Sequence, residues 1–426
     1  MNNTITVRSG AWYGDKALPL NFPTNWEVEM LGPKDAPALS DAQIERAFAE
    51  PIGTPRISEL AKGKKSAAIV VDDLSRPTPA ARVIPFLLRE LTVAGVPKSE
   101  IRFVVGPGSH RPLTDAEIPT KIGADVAAEY EVTNHNFLAG DLRALGNLDN
   151  GMPIYINRIV ADADFKICVG GIYPHSSVGF TGGAKLIVPG VAGFATIFYF
   201  HTFSSSRGPA VIEGEVALDR RDCAERAAQI LGLDAIANVT LNSYREISGV
   251  FVGDFVKAHR AGARFALDTY STPVSEINEK ETDLVIVNCY PLDSDAIQLD
   301  KALAAFSYFE NAYTLALYPA SDGSCYHGLY DRLDYRRYLH QRAQQIPSEL
   351  PAPEIGRRNQ LHVWSEHFGA DEFYKEYPAA RLFRNLEQVI QLFAKKLPAR
   401  ARVGVLPAAG IQVLVPDTDP VNGETV

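Results

Sequence analysis

Four short apolar runs, SAAIVV, IRFVVG, MPIYINRIV and FKICVG, recur in the first part of the chain between helical or loop-like segments. Runs of this length, rich in β-branched residues and bounded by turns, predict strands, and their alternation with helical stretches predicts a layered α/β domain. That pattern extends to about residue 268. A second α/β unit starts at DLVIVNCYP, continues through YTLALYP and NQLHVWS, and reaches RVGVLPAAG near the end. HRAGARFALDTYS and the acidic segment after it form the expected connection. The apolar spacing of LFRNLEQVIQLFAKKL predicts an amphipathic helix whose role is core packing. At 426 residues the chain exceeds what one hydrophobic core usually serves, so two α/β domains, 1–268 and 269–426, are expected.

Composition narrows the function. A net charge of −9 argues against general nucleic-acid affinity and leaves attraction for anionic substrates to local Arg and Lys residues. Cysteines at 168, 223, 289 and 325 form no CxxC pair, which suits a reducing compartment. MNNTITVRSGAWYGD has no charged start followed by an apolar core. The most apolar stretch, VGFTGGAKLIVPGVAGFATIFYF, is interrupted by glycines, a proline and a lysine, so no membrane association is expected and the cytoplasm is the expected location. No feature of the sequence sets an oligomeric state.

The chemistry concentrates between Gly170 and His201, where GGIYPHSSVGFTGGAKLIVPGVAGFATIFYFH holds His175, Lys185 and His201 with almost no other charge. Glycines let backbone approach a ligand closely, so Gly182 and Gly183 in GFTGGAK suit a phosphate or a flat ring. A lysine among small and apolar residues can have its pKa lowered by desolvation, freeing the amine for covalent chemistry. The stretch lacks the GxxxxGK[ST] order of a P-loop, and a tight strand-to-helix connection would read similarly. Its company decides between these. SAAIVV ends in Asp72, Asp73, Leu74, Ser75 and Arg76, and IRFVVG delivers Gly106, Gly108, His110 and Arg111 to a comparable place. Both turns lie at the carboxyl ends of strands, where α/β sheets bind ligands.

DDLSRPTP, GPGSHRP and PHSSVGFTGGAKLIVPGVAGFATIFYFH together resemble the signature segments of the nickel-pincer lactate racemase family. YPLDSDAIQLDK resembles that family's second-domain lid, with Gln298 and Lys301 three apart. The resemblance runs in order through nearly the whole chain. It implies that Lys185 forms a thioamide link to a pyridinium mononucleotide with two sulfur-bearing arms, the nickel-pincer nucleotide. It further implies that His201 supplies the protein ligand to nickel, a metal imidazole suits. His110 and His175 match the acid/base pair on opposite faces of the substrate carbon. Asp73, Arg76, Gln298 and Lys301 match residues lining the substrate and cofactor pocket, which is expected in the cleft between the domains.

The implied reaction inverts a 2-hydroxy acid by reversible hydride transfer from C2 through a 2-oxo acid. Each enantiomer directs its hydroxyl differently, so two histidines, able to give or take a proton near neutrality, serve where one cannot. Arg76 can hold the substrate carboxylate, and Lys301 can add positive charge at the developing oxyanion. Lactate-specific members have an aromatic residue just before the lid glutamine, where this chain has Ile297. An aromatic, dicarboxylic or sugar acid is therefore expected rather than lactate, with Asp322, Ser324 and His327 available to a polyhydroxylated tail. Partners implied are that small molecule and the proteins that build the cofactor. Two rival readings are a protein that binds or stores the cofactor without catalysis, and a nicotinamide-dependent dehydrogenase. The second needs GxGxxG after a strand, and GPGSH lacks the third glycine. His135, His259, His340, His362 and His367 carry no motif and are read as core or surface residues.

Overall fold

The computed structural model describes residues 3–202, 220–295, 298, 299, 308, 309, 311–323, 327, 328 and 361–416. It is an α/β fold built on two six-stranded sheets. The first sheet runs in the order Ile247–Gly253, Ala235–Leu241, Phe165–Gly171, Ala67–Val71, Ile101–Val105 and Glu131–Asn134. All its pairings are parallel except the one between the first two strands. Every residue of Ala67–Val71 is buried. Successive side chains point to opposite faces, so Ala67, Ile69 and Val71 enter one core while Ala68 and Val70 enter another. That two-sided burial explains why the strand reads as a continuous apolar run rather than an alternating one. Helix Ile84–Val93 covers one face through Ile84, Leu87 and Leu91, and helix Arg220–Leu231 covers the other through Ala224, Ala227 and Leu231.

The second sheet is wholly parallel, in the order Arg381–Phe383, Leu361–Trp364, Tyr313–Leu317, Leu284–Asn288, Arg402–Leu406 and Glu27–Met30. Val285 and Val287 serve one core, Leu284 and Ile286 the other. The expected helix in LFRNLEQVIQLFAKKL forms over Leu386–Lys396, capped by Asn385 and packed through Val389, Ile390 and Phe393.

Three elements depart from the expectations. MPIYINRIV does not enter the first sheet: Pro153–Ile156 pairs with Arg143–Asn147 in a separate antiparallel hairpin, with burial on alternate residues only. HRAGARFALDTYS is not a connection but lies in the 13-residue helix Lys257–Thr269, which buries Ala258, Ala263 and Ala266. The division of the chain into 1–268 and 269–426 meets a crossing at the N-terminus. Glu27–Met30 forms an edge of the second sheet, and the hairpin Asn3–Ser9 with Lys16–Phe22 packs Val7, Leu20 and Phe22 into that sheet's core. Burying these apolar side chains requires a sheet face, and the second sheet supplies it. Among the described residues no helix is long and apolar enough to cross a membrane.

Candidate active site

Three adjacent strands of the first sheet, Phe165–Gly171, Ala67–Val71 and Ile101–Val105, end at one crevice. The loops after them line a cavity of about 450 Å³. Asp73, Arg76, His110, His175, Gly182, Lys185, His201 and Gln298 all face it. Eight positions singled out in the sequence, spread from 73 to 298, thus meet at one place. Ile297 and Lys301, with Ser324, Cys325 and His340, lie outside the described residues.

The turn after Ala67–Val71 is held by a buried cation. Lys121 lies 2.5 Å from Asp72 Oδ1 and donates to the carbonyls of Asp73 (2.9 Å) and Arg76 (3.2 Å). Asp72 also accepts from Thr78 Oγ1 (2.6 Å) and from the Gly171 N–H (3.0 Å), tying the turn to the neighbouring strand. Fixed in this way, Asp73 accepts from His110 Nδ1 at 2.8 Å, while Ser75 Oγ donates to Asp73 Oδ1 at 2.5 Å and sits 3.1 Å from the same imidazole nitrogen. Burial works to raise the Asp73 pKa, yet the charge and hydrogen bond of His110, with Arg76 and Ser75, outweigh it and hold the carboxyl below its usual range. A carboxylate accepts, so Nδ1 of His110 carries a proton and Nε2 is left as the basic nitrogen.

His175 has the opposite arrangement. The backbone N–H of Ser177 donates to its Nδ1 at 3.1 Å, so in the neutral ring the proton sits on Nε2. The two neutral rings thus carry their protons on opposite nitrogens, through different backbone and side-chain partners.

The glycine loop is clamped from behind. Gly182 has φ +77°, and a Cβ there would lie 2.8 Å from Asn238 Oδ1. That same oxygen accepts from the Gly183 N–H at 2.6 Å. Arg221, fully buried, donates to the carbonyls of Val178, Phe180 and Gly182, and His259 Nε2 donates to Thr181 O at 2.9 Å. Lys185 follows on the single turn Gly183–Leu186. His201, near the end of helix Phe194–Thr202, donates from Nδ1 to Ile197 O at 2.8 Å. Burial pushes its pKa down to about 3. The ring is therefore neutral with its lone pair on Nε2, the form in which imidazole binds a metal.

Some lining residues had no signal in the sequence. Ser109 is a hydroxyl in a turn, Arg220 donates to His201 O (2.7 Å), and Gly410 and Gln412 come from beyond residue 400. His327 does face the cavity, its ring 5.4 Å from that of His110 and 6.1 Å from that of His201. Asp322, expected to meet a substrate tail, instead receives Arg111 bidentately at 2.8 and 2.6 Å and lines only a small adjoining niche. A carboxylate facing a guanidinium fork prefers that pairing to an exposed wall position. Cys168 and Cys289 are buried, and burial raises both thiols, so neither is a nucleophile.

Residues 13–211 match the lactate racemase N-terminal domain family. The lactate racemase of Lactiplantibacillus plantarum is 31% identical over 330 residues, covering 74% of this chain and 76% of that protein. The lactate racemase of Thermoanaerobacterium thermosaccharolyticum is 32% identical over 272 residues, 62% of this chain and 61% of its own length. The solved lactate racemase apoprotein from the latter organism superposes with a TM-score of 0.70 at 22% identity, covering 96% of this chain and all of that one. A Thermotoga maritima protein shares the fold at a TM-score of 0.61 and 16% identity, covering 89% of this chain and all of its own. With this identity along three quarters of both chains, and the same overall fold, the chain belongs to the lactate racemase family.

Proposed function

We propose that this protein is a racemase or epimerase that inverts C2 of a 2-hydroxy acid other than lactate, using a nickel-pincer nucleotide tethered to Lys185. The observation that carries this reading is the pair of oppositely set histidines, His110 on Asp73 and His175 on the Ser177 amide, lining one cavity with Lys185 and His201. A storage or carrier protein would need the tether and the metal ligand but not a carboxylate-oriented base.

The residues fit such a cofactor. Lys185 would hold it covalently, and His201 offers a neutral Nε2 to nickel. Gly182 leaves a cradle that a Cβ would fill. Among the described residues no group of three His, Cys, Asp or Glu side chains could hold a metal by itself, so the remaining donors would come from the cofactor. When bound, the group supplies an acceptor for the C2 hydrogen as hydride. The chain does the rest. Arg76 pairs with the substrate carboxylate and fixes C2 over the cavity floor. His110 Nε2 takes the hydroxyl proton, and Asp73 stabilises the imidazolium that results. On the other face, His175 would return a proton to oxygen from its imidazolium form as the opposite enantiomer forms, leaving the neutral ring, and exchange with solvent would restore both histidines. Lys301 serves as a further charge near that oxygen, and Ile297 forms a substrate wall. We assign the active site to a cleft between a cofactor-bearing first domain and a covering second domain, and place the protein in the cytoplasm with the cofactor-building proteins.

The test uses protein co-produced with those cofactor-building proteins, intact mass and metal analysis, and C2-deuterated 2-hydroxy acids. An adduct at Lys185, one nickel per chain, and racemisation with deuterium kept at C2 is the expected result. Racemisation with deuterium lost to solvent would replace hydride transfer by proton abstraction, and absence of both adduct and nickel would end the cofactor reading.

A further inference from the structure

We propose, resting on the racemase reading above, that Trp12 is a positioning residue for His110: its ring, carried by the second sheet, holds in place the two cations that fix the turn bearing Asp73. Trp12 lies in the connection of the N-terminal hairpin, whose strands Asn3–Ser9 and Lys16–Phe22 pack into the second sheet's core, yet its own side chain packs against the core of the first. The ring centroid is 5.1 Å from Lys121 Nζ and 3.9 Å from Arg245 Cζ. An aromatic face attracts a cation, the more so away from water. The Lys121 side chain has no exposure, and that of Arg245 is only 13% exposed.

Both cations grip one turn. Lys121 holds Asp72 and the carbonyls of Asp73 and Arg76, and Arg245 Nε donates to Pro77 O at 3.0 Å. Asp73 sits within that grip and orients His110. Arg245 draws its own counter-groups from the loop of Trp12, donating to Ala11 O and lying 3.9 Å from Asp15 Oδ2. Its backbone is left-handed, with φ of 63°, a conformation costly to a residue other than glycine, and its presence there points to a use for the side chain. The loop is anchored in turn on the second sheet's end. Asp293 accepts from the N–H groups of Gly10 (2.7 Å) and Ala11 (3.1 Å), and Asn288 Nδ2 donates to Arg8 O (2.9 Å). Contacts therefore run unbroken from Asp293 through Trp12 and its two cations to Asp73 and His110. Trp12 Nε1 is buried with no hydrogen-bond partner among the described residues, so the indole serves through its ring and not through its N–H.

The experiment compares W12F, which keeps an aromatic face, with W12L, which keeps only apolar bulk, in the unloaded and the cofactor-loaded full chain. In unloaded protein with isotope-labelled histidine, the ring nitrogen shifts read each tautomer. W12L should turn His110 from its Nδ1–H form into a mixture. It should also quicken amide exchange about tenfold at Ser75, whose N–H donates to Asp73 Oδ1, while His175 keeps its shifts and W12F matches wild type. In loaded protein W12L should lower kcat about tenfold with KM little changed and the same fraction of Lys185 adduct, and W12F should recover most of that loss. Should W12L not fold, R245Q, which keeps the ring but removes a cation from it, carries the same expectation. Equal effects of W12F and W12L, or shifts of His110 and His175 together, would reduce Trp12 to packing and overturn the proposal, as would an unmoved His110 or an unmoved kcat. The expected His110 shifts in the unloaded chain, with no racemisation by any loaded protein, would support the positioning role and overturn the racemase reading.

Discussion

Asp73 decides which nitrogen of His110 keeps its lone pair, and under the proposed function that makes it the side chain with the most influence on proton transfer without itself reaching the substrate. In Asp73→Asn the amide can present its N–H to Nδ1 and turn the tautomer around. kcat for the preferred 2-hydroxy acid should fall by roughly 10²- to 10⁴-fold with little change in KM, the pattern for loss of an interaction made at the transition state. Steady-state kinetics on the loaded variant checks this. His135 shows the contrasting case of a histidine with a purely structural part. It is buried, bonds Ala192 O through Nε2 at 2.8 Å, and burial pushes its pKa down to about 4. A folded value below the unfolded one means that stability is full above about pH 6.5 and is lost as pH falls toward 4, because the unfolded chain binds the proton first. Urea unfolding should show His135→Gln losing less stability than wild type between pH 7 and pH 5, by about 2 kcal/mol. Motif separated these two histidines before any geometry did. His110 sits in GPGSHRP after a strand, whereas His135 stands alone. The tautomers were not legible, because they depend on partners 37 residues away, as for Asp73, or on a local amide, as for Ser177.

At the level of elements, the turn 72–76 and the loop 178–185 are rigid for different reasons. Lys121 anchors the first from below, an ammonium without exposure set against Asp72 and two carbonyls. Lys121→Met removes one partner of a buried pair and strands the other, so unfolding free energy should drop by about 3 kcal/mol in a denaturant titration. The loop instead depends on missing side chains. Gly182→Ala would force a Cβ toward Asn238 Oδ1 in a backbone conformation that L residues rarely adopt, at a cost of about 1–3 kcal/mol. Intact mass of the variant should show a reduced fraction of Lys185 adduct.

The strands and turns that carry the site were readable because a buried parallel strand shows as an unbroken apolar run with a polar turn after it. Where burial is one-sided, as in Pro153–Ile156, the same residue types belong to a hairpin outside the main sheet. Helix Lys257–Thr269 was hidden by Gly262, which reads as a breaker. In the structure it lies where a Cβ would come 2.3 Å from Ile172 and 2.9 Å from Phe251, so its absence of a side chain is what lets the helix approach the sheet.

Across the whole molecule, the loops of the first sheet are stitched to those of the second at several points around the cavity. Arg111 grips Asp322 and Glu117 together, Asp322 donates its N–H to Ser294 O at 2.7 Å, Ser294 Oγ reaches Leu74 O at 3.2 Å, and Gly328 bonds Ser109. Asp322→Asn weakens the charged stitch while leaving the cavity wall in place. Amide exchange at Gly328 should quicken about tenfold, and KM should rise more than kcat falls. The meeting of residues 410 and 412 with the glycine loop was not legible in sequence, since only the packing of one sheet's loops on the other's brings them together, whereas Gln298 and His327 were expected there.

The strand Glu27–Met30 pairs with Arg402–Leu406 across about 375 positions of sequence, whereas every strand of the first sheet lies between residues 67 and 253. The first sheet can therefore assemble from one continuous segment. The second must bring two distant segments together, so closing that edge carries the larger loop entropy and belongs to the slower part of folding.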